Sequence, residues 1–136
     1  MSISYSAIVL LDKDRDILLT AMSDYIPEKW KIIAHHCTVK MGDLPEELLD
    51  NRGFFMKIKA FEFGINDLVC AVKVSVPEEM KGFMKNPVPH ITLAVNHEAG
   101  GKPVMSNKMF QGEYSKIDIH PLELMGILTE IPNVKV

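Results

Sequence analysis

Residues 54–76 read FFMKIKAFEFGINDLVCAVKVSV, and the reading of this stretch decides the fold class. Its first part, 54–63, alternates apolar and polar side chains, as a strand does when one face meets a core and the other meets water. Its second part, 68–76, is rich in valine, whose branched Cβ suits a pleated strand. Gly64, Ile65, Asn66 and Asp67 lie between them and carry turn chemistry. The stretch therefore predicts an antiparallel β-hairpin.

Working outward, residues 4–11 predict a strand centred on Ile8 and Val9. A helix should follow, capped by Asp12 or Asp14, with Ile17, Leu18, Ala21 and Met22 on its apolar face and Pro27 beyond its end. Residues 32–41 predict one strand stopped by Gly42-Asp43, and residues 45–50 a short helical turn. On the other side of the hairpin, Pro77 opens a second helix with Glu78 and Glu79 in its first turn. Residues 90–96 predict another strand, and 114–119 with 122–131 a closing antiparallel pair. Strands outnumber helices and the connections are short. The expected class is α+β on antiparallel sheets, not a βαβ winding.

The chain has 136 residues, 47% of them hydrophobic and 24% charged, so one domain spanning 1–136 with a real core is expected. Two cysteines, Cys37 and Cys70, cannot make a disulfide framework, which suits a reduced, cytoplasmic protein. No apolar run is of membrane-spanning length, and no cationic segment precedes the apolar residues 7–11 as a signal peptide would require. The net charge of −3 argues against gripping long duplex DNA by bulk electrostatics. It leaves room for a nucleotide or an RNA end held by local groups.

Those groups come as a repeated pattern. His36-Cys37-Thr38-Val39 and His90-Ile91-Thr92-Leu93 both read histidine, apolar, threonine, apolar, 54 residues apart. On a strand the side-chain period is two, so each histidine shares a face with its threonine while the apolar pair turns to the core. By the same count His35 should face away from His36, with the core. Composition gives roughly 0.1 such tetrapeptides by accident, so the pair is the signal. Two imidazoles suit phosphodiester hydrolysis: one takes a proton from water and the other gives one to the leaving oxygen. The threonine hydroxyls are placed to bind non-bridging phosphate oxygens. The histidines lack zinc-ligand spacing and no acidic cluster suggests magnesium, so neither metal nor cofactor is expected.

With these residues in view, the chain resembles the 2H (two-histidine) phosphoesterases. His35-His36-Cys37-Thr38 and Pro89-His90-Ile91-Thr92-Leu93, with Asn107 in Ser106-Asn107-Lys108, are closest to the cyclic phosphodiesterase domain of plant and fungal tRNA ligases and small viral and phage relatives. The resemblance implies two pseudo-symmetric lobes of antiparallel strands, helices outside and a central cleft. It implies His90 as the base that activates water, His36 as the acid, and Thr38 and Thr92 as phosphate ligands. Implied substrates are an RNA 2′,3′-cyclic phosphate end, or a cyclic oligonucleotide or 2′–5′ oligoadenylate signal. A non-catalytic nucleotide- or RNA-binding domain is the rival from another class.

Lesser candidates carry two readings each. Tyr5 either points into the cleft or packs on the first strand. Trp30 and Tyr25 either stack on a base or staple the helix end. Lys102 and Lys108 either reach a phosphate or remain solvated. His97 and His120 lack the paired hydroxyl and read as structural or exposed, and Cys37 as a buried, inert thiol.

Overall fold

The computed structural model describes residues 2–132. Its strands are β1 (Ile3–Leu10), β2 (Lys31–Ile32), β3 (His36–Met41), β4 (Phe55–Ile65), β5 (Val69–Ser75), β6 (His90–Val95) and β7 (Ser115–Pro132). The helices are α1 (Asp12–Met22) and α2 (Met105–Gln111), with 3-10 turns at Glu46–Asn51, Glu78–Phe83 and His97–Ala99. The order β6-β3-β1-β7-β4-β5 closes on itself because β5 also pairs with β6. The result is a six-stranded antiparallel barrel with β2 as a two-residue addition beside β6. The α+β class holds. No division into two lobes is seen among the described residues.

The hairpin forms as the sequence predicts. β4 and β5 pair from Lys59–Ser75 to Ile65–Cys70, and the Asn66 side-chain oxygen accepts hydrogen bonds from the amides of Leu68 and Val69. That capped turn fixes the register. The main core gathers Ile8, Val39, Phe63, Val72, Ile91, Leu93 and Leu128, with Leu18 and Met22 of α1. A smaller cluster joins Val69, Ala71 and Val95 to Met109 and Phe110 of α2.

Four expectations need correction. The stretch 32–41 is not one strand, because Ala34 adopts φ +42° and breaks the pleat between β2 and β3. The closing pair is instead the single long β7, running through Pro121. Its register against β4 slips between Leu122, opposite Ala60, and Asp118, opposite Glu62. Pro121 falls in that bulge, where no ladder hydrogen bond is demanded of it. Neither Asp12 nor Asp14 caps α1; Leu11 occupies the cap, and Asp14 accepts the Met125 amide at 2.8 Å, tying α1 to β7. The segment after Pro77 is a 3-10 turn, not an α-helix.

Candidate active site

β3 and β6 meet through one paired rung, Cys37 opposite Ile91. Both side chains are fully buried, as are Val39 and Leu93. Alternation then turns His36, Thr38, His90 and Thr92 to the opposite face. One antiparallel step on either side of the rung sets His36 toward Thr92 and Thr38 toward His90. Each imidazole thus faces the hydroxyl of the other motif, a local two-fold arrangement, and diagonal neighbours in such a ladder lie about 7–8 Å apart.

All four residues line one cavity of about 580 Å³, together with Tyr5, Lys40, Lys85, Asn86 and Asn107. Tyr5 packs its ring on His36, centroids 4.8 Å apart. Of the lesser candidates, Tyr5 and Asn107 therefore join the motifs. Trp30 packs against the main core, and Tyr25 stacks on Phe63 at 5.4 Å. Lys102 borders a separate groove with His97 and Gly101, and Lys108 is exposed on α2 outside the cavity lining. His97 and His120 are exposed.

Each imidazole is held at its Nδ1. His90, 8% exposed, donates Nδ1–H to the Val88 carbonyl at 2.7 Å. A carbonyl can only accept, so in the neutral ring Nε2 is the free base. Phe110 of α2 lies against His90 with ring centroids 5.4 Å apart. Behind it, Tyr114 donates to Glu62 at 2.8 Å and Lys73 pairs with the same carboxylate at 3.0 Å.

His36 shares a 2.9 Å hydrogen bond between its Nδ1 and that of His35. The expectation that His35 faces the core is wrong: it is exposed and sits beside His36. The turn at Ala34 lies just before it, so strand alternation does not extend back to residue 35.

Burial, then the neighbouring charges of His35 and His90, pushes His36 down to about 4. Burial also lowers His90, against the opposing pull of the Val88 hydrogen bond. Both rings are thus neutral at pH 7 while no anion is bound. The Cys37 thiol, fully buried, is pushed up to about 12 and makes no nucleophile.

Thr92 is anchored from α2. Its Oγ1 lies 2.8 Å from Ser106 Oγ and 3.3 Å from the Pro103 carbonyl, and Ser106 is fully buried. Sequence reasoning passed over Ser106, and also Lys40, Lys85 and Asn86. Lys40 reaches the cavity past a bulge in β3, where Thr38 lies opposite Ala7 and Lys40 opposite Ser6, so strict alternation does not foretell it. Lys85 and Asn86 arrive from an irregular loop with no local signature.

No protein-family model matches this chain, and no curated protein matches it either.

Proposed function

We propose that the protein is a phosphodiesterase that hydrolyses a cyclic or 2′-linked nucleotide phosphodiester by two-histidine acid–base catalysis, with an RNA 2′,3′-cyclic phosphate end as the leading substrate. The observation that carries this reading is the Cys37–Ile91 rung, which sets two His/Thr pairs face to face in one cavity. On this reading the parts of the barrel that meet at β3 and β6 are the two pseudo-symmetric lobes of the 2H phosphoesterases, and the cavity is their central cleft.

His90 is the base: its Nδ1–H is committed to Val88, so Nε2 takes a proton from the attacking water. The water oxygen bonds to phosphorus as the P–O bond to the ribose breaks. His36, as imidazolium, delivers its proton to that leaving oxygen. Thr38 and Thr92 donate to the non-bridging oxygens and hold phosphorus in line between the rings. An imidazolium at His36 needs help, since its pKa is about 4 without ligand. The phosphodiester supplies it, because an anion beside the ring favours the charged form.

The test is a mass-spectrometric screen of 2′,3′-cyclic nucleotides, RNA bearing a cyclic end, cyclic oligonucleotides and 2′–5′ oligoadenylate, in the presence of EDTA. Hydrolysis that disappears in His36→Ala and His90→Ala supports the reading. Binding without turnover would replace it with a nucleotide-binding module, and neither binding nor turnover would end both.

A further inference from the structure

The cavity extends beyond what one phosphate between two imidazoles needs. Past Thr38 its wall continues with Lys40, Lys85 and Asn86. Lys40 follows Thr38 across a bulge in β3, Thr38 lying opposite Ala7 and Lys40 opposite Ser6, and it lines the same cavity. Lys85 is brought beside it by the fold: its backbone amide donates to the Val39 carbonyl at 2.9 Å, pinning the loop against the end of β3. Among the described residues neither lysine takes part in an ion pair. The chain carries 18 Asp and Glu against 15 Lys and Arg, yet among the described residues no carboxylate lines this cavity. Positive charge has been gathered at one end and left without a partner.

We infer that Lys40 and Lys85 form a second phosphate subsite, so that the substrate is a di- or oligonucleotide rather than a mononucleotide. This rests on the proposed catalytic reading and narrows it, from any cyclic or 2′-linked nucleotide to one that carries a neighbouring phosphate. The scissile phosphate lies between His36 and His90, and the neighbouring phosphate of the same chain meets the two ammonium groups. Asn86 adds an amide for the sugar or base between them.

The experiment compares a cytidine 2′,3′-cyclic phosphate with a dinucleotide ending in the same cyclic phosphate, using the full chain and its Lys40→Gln/Lys85→Gln variant. The unaltered protein should prefer the dinucleotide in kcat/KM by about ten-fold or more, the worth of one charge-assisted contact. The variant should lose most of that preference, chiefly through KM, and the dinucleotide KM of the unaltered protein should rise more steeply with salt. Equal kcat/KM for the two compounds, or a preference that survives the double substitution, overturns the inference. If neither compound is cleaved, the catalytic reading fails and calorimetric titration decides this one separately. A dinucleotide carrying a 3′-phosphate should then bind more tightly than the nucleoside 3′-phosphate, and lose that advantage in the variant. Equal affinities, or no binding, overturn it. Circular dichroism of the variant guards against misfolding, and Lys40→Ala and Lys85→Ala singly replace it should the pair not fold.

Discussion

Thr92 and Ser106 face each other through their hydroxyl oxygens at 2.8 Å, joining the second His/Thr motif to α2 in a contact whose Ser106 side is fully buried. The direction of that bond matters. When Ser106 donates, the Thr92 proton goes to the Pro103 carbonyl at 3.3 Å or to a phosphate; without Ser106 the hydroxyl loses its shorter anchor and keeps only that long bond to hold it in place. Ser106→Ala should therefore raise KM by about ten-fold with kcat less affected. Steady-state kinetics read this split, and a loss confined to thermal stability would assign Ser106 a structural role alone.

The two histidines predict an acid-shifted pH profile. Removing either ring should cost about 10²–10⁴-fold in turnover while the fold persists. In the free protein His36 titrates near 4 and His90 below its ordinary 6.5, so the kcat/KM bell should peak between those values. A bound phosphate anion raises both rings, so the kcat bell should lie at higher pH. Parallel kcat and kcat/KM profiles check this; coincident optima near neutrality would contradict it.

Stability should feel the same ring. In the unfolded chain His36 takes up a proton as pH falls through 6.5, while in the folded chain it does so only near 4. Between those values the unfolded state binds more protons, so stability is lost on acidification, on the order of 3 kcal/mol from this group. Urea unfolding at pH 7 and pH 4.5 should show His36→Asn to be less acid-sensitive than the unaltered chain. Identical sensitivity would remove the burial argument.

Gly64 on β4 tests the support behind His90. A Cβ there would lie 2.9 Å from the rings of both Phe110 and Tyr114. Those rings cannot move freely, since Phe110 rests on His90 and Tyr114 is bonded to Glu62. Gly64→Ala should cost about 1–3 kcal/mol and reduce kcat as His90 shifts. Calorimetry and turnover numbers together decide; unchanged kcat with lowered Tm would uncouple α2 from the base.

Much of this site is legible in the sequence because period-two alternation is a local property. It sorts Cys37, Val39, Ile91 and Leu93 inward and the His/Thr pairs outward without knowledge of the rest. The hairpin is legible for the same reason, helped by the Asn66 turn. What alternation misses is set from outside the segment. Ala34 is forced to positive φ where the chain passes from β2 into β3, and that change of direction puts His35 beside His36. Pro121 looks like a strand boundary, but β4 tolerates it as a bulge. Asp14 looks like a cap until β7 offers the Met125 amide. Lys85 is tied to β3 by its amide bond to Val39, and Ser106 reaches Thr92 from α2; short-range patterns carry no trace of either.

The closure of the barrel has a further consequence, for motion. β6 is joined to β5 by a ladder from Val69–Val95 to Lys73–His90. On its other edge β6 is joined by the Cys37–Ile91 rung, by the bonds that Ile33 and Ala34 send to Leu93 and Thr92, and by the two-residue pairing of β2 with Ala94 and Val95. His36 and His90 therefore stand on opposite sides of a seam where β3 itself supplies a single rung. With so few direct ladder bonds between β3 and β6, this is a favourable place for the closed sheet to open locally. Under the proposed function, a phosphate spanning the two motifs would act as a clasp across that seam. Occupancy of the site should register as slowed amide exchange at Cys37 and Ile91, well before any change in the hairpin.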